Sequence, residues 1–489
     1  MMKFPKLKIL DQSQVEAIHS TSLRILAEVG LKFYSDTALK LFEDTGAGVD
    51  YKKKIVKISE DAVSETLRMA PKKITCHSRN PRHGFTLGNG KVYFTNGFGA
   101  TRVLDPNSNE PRTATLRDLE NFTLIADALE HVHWVIPHII PQDIPKEVCD
   151  RYMALAILSN TSKHCTLIPF SSEGLTDILK MAKIVAGGEE EFRKRPTLIG
   201  SGCQPTSPLQ YSLDASENLI TLSRNMVLID ICVGPIAGAT APPTLAGTVA
   251  EGNAEFLAGL ALCQAAKPGA PVIYGSMASI MDPRRGVFAC GPELAVMNVC
   301  FKQMSDYYKL PFYGTGGVTG SPMPDLQSIY EGTLSNIVEA LACVDVIHDG
   351  VYGILEVGMT ANYEHFIVSH EIVSSIMRVI RGIEVNEKTL AFDLIKKAGP
   401  GRSFLELPEA VELLRKIMRE EYWIPELTVR LGRKEWEERG AKNMGQRAIE
   451  KAEKILREHR PDPPLPQEAR AKLEEIARQG HMKAARISS

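Results

Sequence analysis

The middle of this chain repeats a short apolar segment followed by a helical segment, and this rhythm limits the possible folds more than any other feature. The start-to-start spacing of the apolar segments is about 30–45 residues, the size of one βα unit. Because the segments are continuously apolar, we expect strands buried on both faces of a parallel sheet. There are seven such segments: His133–Ile139, His164–Phe170, Pro196–Gly202, Met226–Val233, Pro271–Ser276, Pro311–Gly316 and Val344–Gly350.

This pattern predicts an α/β protein with a TIM-type (β/α)8 barrel, and an open doubly wound sheet is the alternative. Gly353–Val357 and Gly382–Val385 are the two candidates for the eighth strand. We divide the chain into an N-terminal α+β extension at residues 1–130, a catalytic barrel at 131–398 and a C-terminal helical segment at 399–489.

The composition excludes several classes of protein. Lys and Arg number 57 and Asp and Glu number 59, so the net charge of −2 gives no general attraction to nucleic acid or to anionic membranes. No apolar stretch is long enough to cross a membrane, and the N-terminus does not resemble a secretory signal. The 9 cysteines form no CxxC pair, which argues against a structural metal site. We therefore expect a cytoplasmic protein with reduced cysteines and no bound metal.

In a βα barrel, the catalytic groups lie at the carboxyl ends of the strands. The predicted strand ends carry aromatic residues, small residues and few charged groups. They include Gln204, Tyr274, Tyr313 and His348, and Glu356 follows shortly after. Aromatic faces attract quaternary ammonium groups, although any single Tyr here could equally be a packing residue. The strand ends carry no basic cluster for phosphate and no lysine for Schiff-base chemistry.

Several longer motifs resemble the trimethylamine methyltransferase superfamily of corrinoid-dependent, MttB-like enzymes, and most closely its members without pyrrolysine. The resemblance covers nearly the whole chain and implies a βα barrel. It rests on Phe94–Asp105, Arg112–Asp118, Gly238–Gly247, Pro268–Tyr274, Met281–Arg285, Pro324–Glu331, Tyr363–Glu371, Gly382–Leu394 and Gly399–Leu405.

Two departures from the family pattern bear on the substrate and on docking. The region that holds pyrrolysine in the trimethylamine enzymes is placed around residues 318–322, where this chain has Val-Thr-Gly-Ser-Pro. Leu407-Pro408-Glu409 replaces a His and Thr that relatives tend to carry, so that end of the chain could dock differently. The nitrogen of a quaternary ammonium is already positively charged, so the loss of one methyl group releases a neutral amine. The demethylation of such a group therefore needs no general acid.

The resemblance therefore implies methyl transfer from a betaine-type quaternary amine, such as glycine betaine, to the Co(I) of a separate corrinoid protein. It also implies a homo-oligomer and no tightly bound cofactor. Two alternatives remain open, a lyase or aldolase on the same barrel and a quaternary-amine-binding protein without catalysis. The candidate residues are Phe98, Tyr274, Tyr313 and Tyr352 as an aromatic cage, Gln204 as a further substrate contact, Glu356 as partner of the cation, and His348 as the residue that orients the substrate.

Overall fold

The computed structural model describes residues 6–105, 108 and 110–488 and shows a closed barrel of eight parallel strands. All seven predicted strands are confirmed as barrel strands, and the open sheet is excluded. In chain order the barrel strands are β1 (Tyr93–Asn96), β2 (Trp134–Val135), β3 (His164–Thr166), β4 (Ile199–Gly202), β5 (Leu228–Val233), β6 (Val272–Ser276), β7 (Phe312–Thr315) and β8 (Val346–Val351).

Each barrel strand is followed by a helix on the outside of the barrel, which makes eight complete βα units in the described residues. Three helices precede the barrel: α1 (Gln12–Arg24), α2 (Asp36–Asp44) and α3 (Glu60–Met69). The barrel helices are α4 (Leu116–Ala128), α5 (Cys149–Asn160), α6 (Ser172–Ala186) with the short α7 (Glu189–Lys194), α8 (Leu213–Arg224), α9 (Leu245–Ala266), α10 (Pro292–Tyr308), α11 (Leu326–Leu341) and α12 (Tyr363–Arg381).

The eighth strand is not where the sequence analysis expected it, because β1 closes the barrel between β8 and β2. Ile354–Leu355 pairs instead with Thr360–Ala361 in a small rim sheet, and residues 382–385 form no strand. Strand β1 is not continuously apolar, so it does not belong to the repeated pattern of apolar segments that predicts the other seven strands. The three-domain division stays a prediction, but the barrel takes one strand from before residue 131, which corrects the expected start of the barrel.

A segment that precedes β1 covers the amino ends of the barrel strands. A hairpin of Ile74–Cys76 and Phe85–Leu87 lies there, and the ring of Phe85 is 4.5 Å from that of Tyr93 at the start of β1. A separate four-stranded sheet combines Leu31–Phe33, Gly48–Asp50, Ile55–Lys57 and Gln210–Tyr211. The hairpin closes this end, so a ligand has to enter from the carboxyl ends of the strands.

The strands separate two apolar layers, because alternate residues of a strand point to opposite faces. On β7, Phe312 packs outward against the helices, whereas Tyr313 faces the barrel interior with Trp134 of β2. On β5, Leu228 and Cys232 face inward and Ile229 and Ile231 face outward. This alternation decides which side chains reach the interior.

The C-terminal region is helical, as predicted. Its last two helices, α17 (Met444–Glu458) and α18 (Gln467–Ser488), pack against the outside of the barrel on α12 and on α5 and α6, respectively. In the described residues, no helix has the length and apolar character that crossing a bilayer requires. Between α12 and α17 the chain forms α13 (Glu387–Leu390) and α14 (Phe392–Ala398), which precede residue 399, and then α15 (Pro408–Glu421) and α16 (Arg433–Glu438).

Candidate active site

A cavity of about 210 Å³ lies inside the barrel at the carboxyl ends of the strands. This position matches that of active sites in βα barrels. The cavity is smaller than the ~300–1,000 Å³ pockets that hold drug-sized ligands, so it suits a compact molecule. Its lining residues are Phe98, Ile136, Thr166, Ile168, Gly202, Gln204, Asp230, Cys232, Tyr313 and His348.

Asp230, which is not among the predicted site residues, supplies a carboxylate to the cavity. It stands in the middle of the apolar strand β5, and the alternation of that strand turns its side chain inward. Burial raises the pKa of Asp230 to about 6, and the nearby His348 partly opposes the rise. Gly202 gives this carboxylate room, because a Cβ at that position would lie 3.0 Å from Oδ1 of Asp230.

The imidazole of His348 on β8 contacts the carboxyl group of its neighbour Asp349. Nδ1 of His348 lies 3.0 Å from Oδ2 of Asp349 and 3.4 Å from the hydroxyl of Thr315 on β7. Burial raises the pKa of the Asp349 carboxyl, and the contact with His348 lowers it in part. The Asp349 backbone N–H donates to the hydroxyl of Thr95 on β1 at 3.1 Å. These contacts fix one face of the imidazole and leave Nε2 on the side away from Asp349.

Tyr313 and Phe98 are the aromatic side chains of the cavity. The ring centroid of Tyr313 lies 4.8 Å from that of His348 and 5.5 Å from that of Trp134. Burial raises the pKa of Tyr313 well above its ordinary value, so the phenol stays neutral. Phe98 is half-buried in the loop after β1. The two rings give the cavity aromatic surface beside the Asp230 carboxylate.

Four of the seven predicted site residues line this cavity: Phe98, Gln204, Tyr313 and His348. Tyr274 does not, because alternation on β6 turns its ring to the outside of the barrel wall. There it stacks on Phe256 of α9 at 3.7 Å, and its hydroxyl donates to Asn253 at 2.9 Å. The expectation that Tyr274 belongs to the cage is corrected by this placement.

Glu356 and Tyr352 lie in the segment after β8 and do not line the cavity. The Glu356 carboxylate is paired with Arg102 and accepts a hydrogen bond from Thr360 at 2.7 Å. Tyr352 is buried, and burial raises its pKa well above the ordinary value. In the described structure, the carboxyl groups near the cavity are those of Asp230 and Asp349 rather than that of Glu356.

The cavity is suited to a small cation. No lysine or arginine side chain is among its described lining residues, whereas Asp230 faces it directly and Asp349 stands behind His348. The described residues contain no group of three or more His, Cys, Asp or Glu side chains placed to hold a metal ion. A positive ligand would therefore meet a negative and aromatic surface with little water.

Comparisons with known proteins cover nearly the whole length of the chain. A family model described as trimethylamine methyltransferase (MTTB) matches residues 1–483. Trimethylamine methyltransferase MttB of Desulfitobacterium hafniense (strain DSM 10664 / DCB-2) is 36% identical over 464 residues, 95% of this chain and 92% of the relative. Glycine betaine methyltransferase of D. hafniense (strain Y51) is 32% identical over 480 residues, 97% and 98% of the two chains. The crystal structure of the Methanosarcina barkeri monomethylamine methyltransferase (MtmB) aligns with 91% of this chain and 92% of its own at 14% identity, with a TM-score of 0.47.

Proposed function

Because this chain belongs to the trimethylamine methyltransferase (MTTB) family, we propose that it moves a methyl group from a quaternary amine to the Co(I) of a cognate corrinoid protein. Glycine betaine or a related betaine is the proposed donor. One relative is named for glycine betaine and supports this substrate class, whereas another is named for trimethylamine, a tertiary amine. Every residue of this chain is one of the twenty standard amino acids, which favours a donor whose nitrogen is already cationic.

The observation that carries the proposal is the pairing of a buried carboxylate with aromatic rings in one small cavity. Asp230 attracts the positive headgroup, and the faces of Tyr313 and Phe98 contact its methyl groups. Each cation–π contact contributes about 0.5–2 kcal/mol when the partners are removed from water. The cavity thereby binds an alkylated ammonium without a hydrogen bond, which such a group cannot donate.

The carboxylate end of a betaine needs a different receptor. His348 presents Nε2 on the side away from Asp349, and Gln204 lies exposed at the entrance of the same cavity. The amide of Gln204 carries N–H donors for a carboxylate, and Nε2 of His348 carries one in the tautomer whose Nδ1 accepts the proton of Asp349. With Asp230 toward the nitrogen and His348 toward the carboxylate, the cavity discriminates a zwitterion from a simple amine.

In the proposed reaction the bond between nitrogen and one methyl carbon breaks, and its electron pair stays on nitrogen. The product is a neutral tertiary amine, so no residue has to donate a proton to it. The Co(I) brought by the partner supplies the electron pair that takes up the methyl group. The residues of this chain hold the methyl group in line, exclude water and supply negative potential around the nitrogen.

The rim of the barrel fits a protein partner that covers the mouth. Loops after β6, β7 and β8 expose large apolar side chains at this end: Val287, Met323, Val357 and Met359. Exposed apolar side chains of this kind mark interaction surfaces. We place the corrinoid protein on this surface.

We place the enzyme in the cytoplasm, because all nine cysteines are free.

The test is to mix the purified chain with cob(I)alamin and, separately, glycine betaine, carnitine, proline betaine and trimethylamine. We expect loss of the Co(I) absorbance and, by mass spectrometry, the demethylated product with one betaine and not with trimethylamine. The Tyr313→Ala variant should be slower, and Leu213→Glu, an exposed position on α8, serves as the matched control. Binding without methyl transfer would instead favour a non-catalytic binding protein.

A further inference from the structure

Strand β8 bulges where it pairs with β1, and a buried threonine of β1 lies opposite the bulge. The backbone of β8 runs from Ile347 to Val351 over a stretch in which β1 advances by only two residues. Thr95 is therefore the one residue of β1 that stands opposite residues 348–350, which form the bulge. Thr95 is fully buried, and a buried hydroxyl is unfavourable unless it has hydrogen-bond partners.

The hydroxyl of Thr95 forms hydrogen bonds on both strands. It accepts the backbone N–H of Asp349 at 3.1 Å and donates to the carbonyl of Asn96 at 2.8 Å. A bulge leaves the N–H of its extra residue without a partner in the strand ladder, and here a side chain supplies that partner. Because the only proton of the hydroxyl goes to Asn96, its lone pairs are directed toward Asp349. The side chain of Thr95 thus replaces the missing backbone contact at Asp349.

The other contacts of the bulge are made to the residues before and after Asp349. The N–H of Gly316, after β7, donates to the carbonyl of His348 at 2.9 Å. Nδ2 of Asn336 on α11 donates to the carbonyl of Gly350, also at 2.9 Å. Neither contact fixes the N–H of Asp349. Removing the Thr95 hydroxyl would therefore take away the partner of this N–H while the contacts of its neighbours remain.

Thr95 also contacts the aromatic side of the cavity through Tyr313. Burial raises the pKa of Tyr313, and a hydrogen bond with Thr95 lowers it in part. The same hydroxyl therefore contacts the phenol of Tyr313 and the backbone that carries Asp349 and, next to it, His348. Tyr313 and His348 both line the cavity, whereas Thr95 is not among its described lining residues. Thr95 links two walls of the cavity from outside it.

We propose that Thr95 is a positioning residue for the methyl transfer, because its hydroxyl fixes the backbone of Asp349 and thereby orients the imidazole of His348 toward the substrate. This inference rests on the proposed function and adds a residue to the same site. Thr95 does not bind the substrate and acts through the two residues of the bulge. A purely structural threonine would contribute to stability and leave the orientation of the imidazole unchanged, so the two roles are separable by experiment.

The first test compares Thr95→Val, which keeps the shape of the side chain without its hydroxyl, with Thr95→Ser, which keeps the hydroxyl. We expect kcat per betaine-binding site, counted by titration calorimetry, to fall about 10–100-fold in Thr95→Val. Thr95→Ser should retain kcat within about threefold of the wild-type value. Counting the binding sites removes the effect of any unfolded fraction.

Thr123→Val is the matched control for Thr95→Val. Thr123 on α4 is also buried, but its hydroxyl has no hydrogen-bond partner among the described residues. Thr123→Val should therefore turn over the betaine as the wild type does. If Thr95→Val does not fold, Thr95→Ala gives the same reading, because it removes the hydroxyl without placing a methyl group against Asp349.

The second test reads the imidazole of His348 directly, by nitrogen-15 NMR of the full chain labelled at histidine. The signals are assigned by their loss in His348→Gln. We expect one fixed tautomer in the wild type and in Thr95→Ser, and an average of two tautomers in Thr95→Val, because the carboxyl group of Asp349 no longer keeps its place beside Nδ1.

The proposal is overturned if Thr95→Val keeps the wild-type kcat, and equally if its kcat falls while the imidazole signals stay as in the wild type. The second result would assign Thr95 a structural role only. A wild-type chain that transfers no methyl group from any donor would refute the proposed function instead. The imidazole signals would then still show whether Thr95 orients His348, so the two failures are distinguishable.

Discussion

His348 and Asp349 are consecutive residues, yet Oδ2 of Asp349 lies 3.0 Å from Nδ1 of His348. Adjacent side chains of a regular strand point to opposite faces, so this contact needs an irregular strand. Asp349 has a φ of 60°, and the pairing of β8 with β1 shifts register between Ile347 and Val351. The bulge brings the carboxylate behind the imidazole, and a bulge beside a cavity is a common way to aim a side chain.

Replacing Asp349 by Asn should reduce catalysis by way of His348. Asn tolerates the left-handed backbone and has nearly the same shape, so the bulge should persist while the carboxylate is lost. We expect kcat/KM for the betaine to fall about 10–100-fold. The pH profile of kcat/KM should also shift, which a loss of stability alone would not cause. The free energy of unfolding at pH 8 should not fall, because the pKa of Asp349 is raised by burial. An unchanged kcat/KM and pH profile would show that the pair has no part in the reaction.

The ring of Tyr313, rather than its hydroxyl, should bind the substrate. Tyr313→Phe keeps the aromatic face and should leave the Kd for the betaine within about threefold of the wild-type value. Tyr313→Ala removes one cation–π contact of about 0.5–2 kcal/mol and should raise the Kd about 2–30-fold. Isothermal titration calorimetry measures both values. Equal losses in the two variants would mean that the hydroxyl carries the contact.

Tyr274 provides the matched control for Tyr313, because it lies on the neighbouring strand but faces outward. Tyr274→Phe removes the hydrogen bond to Asn253, and the free energy of unfolding should fall by about 1 kcal/mol. The Kd for the betaine should stay unchanged. Weaker binding in this variant would contradict the assignment of Tyr274 to the outer wall.

The fold was predictable because a strand that is buried on both faces is a continuous apolar run in the sequence. The parallel strands β2 to β8 are apolar runs at regular spacing, and seven βα units already imply a barrel. Strand β1 does not have this pattern. Its four residues are two aromatic residues followed by the polar Thr95 and Asn96, and Asn96 donates to loop carbonyls, so the strand is not an apolar run.

The sequence predicts which residues lie at the carboxyl ends of the strands, but it does not predict whether their side chains point into the barrel or out of it. Tyr274 and Tyr313 occupy similar strand ends, and only the register of each strand shows that one faces out and the other in. Asp230 carries a sequence signal that could have been used, since a carboxylate within an apolar barrel strand needs a special environment. The pairing of His348 with Asp349 depends on a backbone bulge, which no spacing rule predicts.

Substrate binding should weaken as the pH falls through about 6. The pKa of Asp230 in the free protein is raised to about 6, so its carboxylate is ionised above that pH and protonated below it. A bound cation favours the ionised form, and protonation removes that attraction. We expect the Kd to rise up to about tenfold per pH unit below 6 and to be flat above 7. The Asp230→Asn variant should bind the betaine weakly at every pH. If the Kd of this variant still depends on pH, the dependence comes from another titratable group.

The same carboxylate should lower the stability of the empty protein. Because the folded-state pKa of Asp230 lies above the ordinary value of 3.8, its contribution to stability is present below pH 4 and lost as the pH rises through 6. Asp230→Asn removes this loss and should raise the free energy of unfolding at pH 8 by about 1–3 kcal/mol. Urea denaturation at pH 5 and at pH 8 measures the difference. A destabilised variant at pH 8 would show that Asp230 is held by favourable contacts instead.

Gly317 should be required for the bulge that places Asp349. It has a φ of 71°, where an Ala side chain costs about 1–2 kcal/mol, and a Cβ there would overlap the carbonyl oxygen of Asp349. Gly317→Ala should therefore lower the free energy of unfolding by about 2–4 kcal/mol. It should also reduce kcat/KM, because the backbone of Asp349 has to move. Gly320→Ala is the matched control, since Gly320 is exposed and a Cβ there would meet only Gln327, at 4.0 Å. If the two variants unfold at the same urea concentration and turn over substrate equally, the close approach of Gly317 to β8 is not what holds the bulge in place.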